Sequence, residues 1–128
     1  MDNDGDIDIV VTYANGPARL LFNQAGNRNH WVEAHLRGVR ANRDAYGARV
    51  ALYRKGRPPL WRRVGTDGSY LSAHDPRVHF GLGTDADIKE SPLDKIIVTW
   101  PGGAKESWPV TKPDQILHLT EGTGKSAK

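Results

Sequence analysis

Asp2-Asn3-Asp4-Gly5-Asp6-Ile7-Asp8 sets a carboxylate at every second position around one glycine. Hard divalent cations take about six to eight oxygen ligands, and a loop bent sharply at a glycine lets alternate side chains converge on one ion. Calcium suits that donor set best, so Asp2, Asp4, Asp6 and Asp8 are the metal-ligating candidates. The helix-flanked calcium loop is excluded, because its obligatory twelfth-position Glu falls where this chain has Val11. The plainer alternative is a polar turn ahead of an edge strand.

A second group, Trp61-Arg62-Arg63, combines a broad apolar ring with two guanidinium groups. An exposed Trp can stack on a sugar or anchor a protein partner, although most Trp side chains are core. Trp100 shares one strand face with Ile96 and Val98 and is assigned to the core, whereas Trp61 is the Trp expected at the surface. Catalysis has little support. Ser69, Ser72, His74 and Asp75 lie close together, but triads assemble from distant segments around an oriented base and an oxyanion site. His74 and His79 are five apart with Pro76 between them, a poor spacing for zinc. Gly124-Lys125-Ser126 lacks the upstream glycine of a phosphate loop.

These groups must be carried by strands. The 14 Gly and 8 Pro of the 128 residues fall between short segments rich in Val, Ile, Leu, Tyr and Trp, which is strand punctuation. Ile7, Ile9, Val11 and Tyr13 alternate with Asp6, Asp8, Val10 and Thr12. Val32, Ala34 and Leu36 alternate with Trp31, Glu33, His35 and Arg37, the period of two of half-buried strands. Further strands are expected at 18–23, 48–54, 60–64, 77–81, 95–100 and 115–120, eight in all, with no convincing helical period. Asn15-Gly16-Pro17 reads as a hairpin turn. Segment 24–29 reads as a polar connection, and 123–128 as a flexible tail.

The charge is uneven. Residues 1–27 hold four Asp against one Arg, residues 28–65 hold ten Arg and Lys against two acids, and the net charge is +3. The basic middle lacks the aromatic interleaving of single-strand binders and is read as a solvated strand face, with no nucleic-acid partner. No apolar run approaches the roughly 20 residues of a membrane span, so no membrane insertion is expected. Cysteine is absent, which removes disulfides and thiol chemistry without fixing the compartment.

Asp-Asn-Asp-Gly-Asp-Ile-Asp-Ile-Val-Val at 2–11 resembles the calcium loop of FG-GAP repeats, the blades of integrin-type β-propellers, whose pattern is D-x-D-x-D-G-x-x-D. The resemblance implies that Asp2, Asp4 and Asp8 ligate through side chains and that Asp6 sits where a main-chain carbonyl usually binds; the pattern's leading Asp is absent. Residues 30 to about 121 resemble the ASPIC/UnbV domain. The carriers are Asn29-His30-Trp31-Val32, Ala41 to Val50, Gly68-Ser69-Tyr70-Leu71-Ser72, Arg77 to Gly83 and Val98-Thr99-Trp100-Pro101-Gly102-Gly103. Ala45 and Tyr46 stand where that family more often has Gly and Ile. The implied domain order is a partial FG-GAP repeat at 1–27, an ASPIC/UnbV-like domain at 28–122 and a tail at 123–128.

The expected fold is all-β: an antiparallel β-sandwich-like domain preceded by a hairpin from a propeller blade. The expected function is a non-catalytic, secreted, extracellular or periplasmic module, supported by calcium, that serves interaction or adhesion. A carbohydrate- or polyanion-binding module using the basic middle and Trp61 is the alternative. The hairpin's orphan edge invites packing on the body or self-association.

Overall fold

A computed structural model describes residues 4–24 and 26–128, and Asp2 lies outside them. The fold is all-β, as the alternation predicts. The first two strands, β1 (Ile9–Tyr13) and β2 (Gly16–Leu21), pair antiparallel as a separate hairpin, with Ile9 opposite Leu21 and Val11 opposite Arg19. The turn falls at Ala14 and Asn15, so Gly16 already belongs to β2.

The body is two packed sheets. One has three strands in the order β6 (Val78–Gly83), β3 (His30–Arg37), β9 (Gln115–Thr120). The other has five: β10 (Lys125–Ser126), β8 (Lys105–Pro109), β7 (Leu93–Thr99), β4 (Arg49–Arg54) and β5 (Arg57–Arg63). Val32, Ala34 and Leu36 of β3 are buried, as are Val78, Phe80 and Leu82 of β6, and they meet Val50, Leu52, Ile96 and Val98 of the larger sheet. Trp100 lies in this core at 1% exposure, as its strand face predicts.

Several expectations are corrected. The pairing is antiparallel except between β3 and β9, which run parallel with Val32 beside Gln115 and His35 beside His118. There are ten strands among the described residues, not eight. β8 was hidden because Glu106 shares its inward face with Trp108, and the Glu106 carboxylate accepts hydrogen bonds from the Gly122 and Gly124 amides at 2.9 and 3.0 Å. β5 starts at Arg57, ahead of its expected start at residue 60, and tolerates Pro58 and Pro59 because it is an edge strand. The tail expected at 123–128 contains β10, in which Lys125 and Ser126 pair with Ser107 and Glu106. That pairing uses main-chain groups, which need no apolar anchor.

One short helix, α1 (Asp85–Glu90), also stands against the expectation of none. Asp87 caps its start, since Asp87 Oδ2 accepts from Thr84 N at 2.9 Å and from Thr84 Oγ1 at 2.8 Å. Six residues are too few to show a period. The Asn42 side chain braces the following turn, its Oδ1 accepting from Tyr46 N at 2.8 Å and its Nδ2 donating to Tyr46 O at 3.0 Å. Ala45 in that turn has φ 53°, the left-handed region that glycine occupies without a Cβ penalty. The Arg43–Asp44 ion pair is present at 3.0 Å and exposed, so it adds little stability.

Candidate functional site

Alternation along β3 puts Trp31, Glu33, His35 and Arg37 on the face of the small sheet opposite the core. The antiparallel register places His79 of β6 across from Glu33 on that same face. The Trp31 and His79 rings stack, with centroids 6.3 Å apart and planes 18° off parallel. Arg77 closes one side: its guanidinium meets Glu33 Oε2 at 3.0 Å and also grips Asp75. Bonding to Arg77 holds the Asp75 carboxyl below its ordinary range.

Trp31 is fixed at its own end of the strand. Its amide donates to Asp114 Oδ1 at 3.2 Å and its carbonyl accepts from Asp114 N at 2.7 Å. The neighbouring His30 is clamped between two carboxylates, Nε2 to Asp85 Oδ1 at 2.8 Å and Nδ1 to Asp114 Oδ2 at 2.7 Å. Asp85 first and Asp114 second hold its imidazole above the ordinary histidine range. This clamp ties β3 to α1 and to the segment entering β9.

The acidic loop rests on this face. Gly5 has φ +98°, and a Cβ there would fall 1.7 Å from Trp31 Nε1, so the glycine lets the loop backbone lie directly against the indole. A cleft of about 280 Å³ opens between the two parts. Gly5, Asp6, Ile7 and Asp8 line one wall, and Trp31, Glu33, His74, Asp75, Arg77 and His79 line the other.

Gly5→Ala is therefore expected to detach the loop, since the new methyl group meets the ring and also strains a left-handed residue. Limited proteolysis should then cut the N-terminal segment far faster while the body's melting temperature stays nearly unchanged. Equal protection of both proteins would count against the contact.

The loop carboxylates are held separately. Asp4 Oδ1 accepts from Asp6 N at 3.2 Å, Asp8 Oδ1 accepts from Asn23 N at 3.0 Å, and Asp6 packs against Gly26. Among the described residues no three His, Cys, Asp or Glu side chains converge as a metal cage would. The donor chemistry, hard oxygens around a positive-φ glycine, nonetheless fits calcium.

The second group is only partly brought together. Trp61 is 47% exposed, with the Arg49 guanidinium 5.4 Å above its ring. Arg62 turns away, donating through Nε to His79 O at 3.2 Å and lying 5.5 Å over the Phe80 ring. Arg63 is paired with Asp67 at 2.7 Å. Ser72 Oγ donates to Ser69 O at 3.0 Å and lies 3.5 Å from His74 Nε2, while Asp75 serves Arg77 and not His74.

Residues 38–126 match the family model described as ASPIC and UnbV. The chain belongs to that family. Relatives similar to it are the cartilage acidic protein 1 of Mus musculus and of Homo sapiens, each 32% identical over 105 residues, and that of Xenopus tropicalis, 31% identical over the same length. Each alignment covers 80% of this chain and 15% of the relative, so the chain spans a small part of the proteins it matches. The cleft on the outer face of β3 thus straddles the start of the ASPIC and UnbV domain. His74, Arg77 and His79 fall inside the matched span, and the acidic loop, Trp31 and Glu33 fall before it. Sequence reasoning missed Glu33, Arg77 and His79 as site residues. The polar face of β3 was legible, but nothing local showed that β6 and the loop would meet on it.

Proposed function

We propose that this ASPIC and UnbV domain is a non-catalytic extracellular interaction module placed after a calcium-binding FG-GAP repeat, with residues 1–27 as the end of that repeat. The observation that carries the reading is the acidic loop seated on Trp31 through Gly5, which ties a calcium-type loop to β3, the strand flanked by β6 and β9 of the family domain. The relatives are named for cartilage, a tissue rich in extracellular matrix, and no described helix is long and apolar enough to cross a membrane. The engagement of Ser72 with Ser69 O and of Asp75 with Arg77 supports a structural role for that loop.

The hairpin supports the propeller part of the reading. Ile9, Val10, Tyr13, Leu20, Leu21 and Phe22 are all exposed, the surface a neighbouring blade strand or a second molecule would cover. Asp2, Asp4 and Asp8 would hold calcium through side chains, with the Asp6 carbonyl as a further donor. The ion would supply charge neutralisation that draws the loop together, with affinity at the weak, extracellular end of about 10⁻⁴ to 10⁻³ M.

Calorimetric titration tests this. Calcium should bind once, magnesium should bind poorly, and Asp4→Asn or Asp8→Asn should weaken binding at least several-fold. No heat and no rise in melting temperature at millimolar calcium would sink the calcium reading. The exposed Trp61 under Arg49 favours one alternative, a sugar or polyanion site. Heparin retention that disappears in Trp61→Ala would move the assignment to that face.

A further inference from the structure

A pair of histidines lies on the same outer face of the small sheet but outside the lining of the cleft and the acidic loop. β3 and β9 run parallel in a register that sets His35 directly beside His118. Neighbours in register on adjacent strands project from the same side of the sheet, here the solvent side, because Leu36 and Leu119 on the opposite side are core. Both histidines are exposed. Their rings meet edge to face with centroids 5.5 Å apart and planes at 60°.

Neither imidazole has a hydrogen bond or ion pair to another described residue, so its ring nitrogens are open to a ligand. This contrasts with His30, whose two nitrogens are both committed to carboxylates. A metal bound by two imidazoles holds each nitrogen about 2.0–2.1 Å away. Two rings straddling one ion at an open angle then have centres roughly 5 Å apart, close to the spacing found. The surrounding charge is mixed. Asp44 and Asp75 interact electrostatically with His35 and Arg77 is neutralised by Glu33 and Asp75, while Arg37, two residues along the same face of β3, adds a positive charge.

We propose that His35 and His118 form a two-imidazole site for a borderline divalent transition ion, with water filling the remaining positions. Two protein ligands make a labile site, in keeping with the lack of any three-residue cage among the described residues. Imidazole selects copper, nickel and zinc over calcium, and the Irving–Williams order puts copper(II) tightest. The site is therefore orthogonal to the acidic loop: it ignores calcium, and its failure or success leaves the calcium reading untouched.

The test uses the untagged 128-residue chain and copper(II), competed against a weak chelator. One equivalent should bind with a dissociation constant on the order of micromolar, and His35→Gln and His118→Gln should each weaken it at least about tenfold. His74→Gln and millimolar calcium should change nothing. Because both histidines are exposed, the variants should keep the wild-type circular dichroism. Should one fail to fold, the intact protein still decides, since substoichiometric copper must broaden the ring resonances of His35 and His118 before those of His30, His74 and His79. Binding that is unchanged in either variant, or broadening that starts elsewhere, overturns the proposal.

Discussion

Trp100→Ala is expected to destabilise the domain by about 3–5 kcal/mol, the largest loss for any single side chain here. Trp100 is the largest of the fully buried side chains and packs in the cluster that holds the two sheets together. Its amide accepts no slack either, since Trp100 N donates to Ala104 O at 2.8 Å and Trp100 O accepts from Gly103 N at 2.8 Å, closing the turn between β7 and β8. Truncation leaves a cavity that a paired turn cannot follow inward. Urea unfolding followed by circular dichroism measures the loss. Trp100→Phe provides the contrast, because the indole Nε1 is buried without a hydrogen-bond partner among the described residues. Phe keeps much of the ring volume and removes that unsatisfied donor, so it should cost well under half as much. Equal costs for Ala and Phe would mean that packing around Trp100 is not what joins the sheets.

Glu121→Ala is expected to lower the melting temperature by on the order of 10 °C. Glu121, 7% exposed, follows β9, and its Oε2 accepts from the amides of Val39, Arg40 and Ala41 at 2.8, 2.7 and 2.8 Å. One carboxylate thus satisfies three consecutive donors of the loop after β3, a charge-assisted arrangement. Glu121→Gln keeps a single carbonyl acceptor and should lie between the wild type and Ala. The amide of Ala41 first, and that of Val39 next, hold the Glu121 carboxyl below its ordinary value of 4.5. A folded value lower than the unfolded one stabilises the protein fully above pH 4.5, and that contribution is lost as pH falls through the folded value. The difference between wild type and Glu121→Ala should therefore shrink on acidification from pH 7 to about 3. A difference that does not change with pH would show that the three amides do not depend on the charge.

Both predictions rest on residues of different legibility. Trp100 could be assigned to the core because Ile96 and Val98 precede it at the period of one strand face. Glu121 could not, because a lone acidic residue near a chain end reads as solvated until its three amide donors are in place. The same divide runs through the strands. β3 and β6 were visible in their alternation, whereas β8 carries Glu106 at an inward position and β10 carries no apolar residue at all. In the candidate site, the Asp-rich loop and its glycine were visible. The Arg77 grip on Glu33, the stacking of Trp31 on His79 and the seating of Gly5 on the indole were not.

By itself the sequence determined what local chemistry can determine: the all-β class, the hairpin, the buried and exposed Trp residues and the family resemblance. Each follows from neighbours along the chain, through side-chain alternation, turn residues or a motif. Only the tertiary structure decided the parallel pairing of β3 with β9, the meeting of the acidic loop with the outer face of β3, and the juxtaposition of His35 with His118. Those contacts join residues as much as 83 positions apart, and a period of two says which face a residue occupies but not which strand lies beside it.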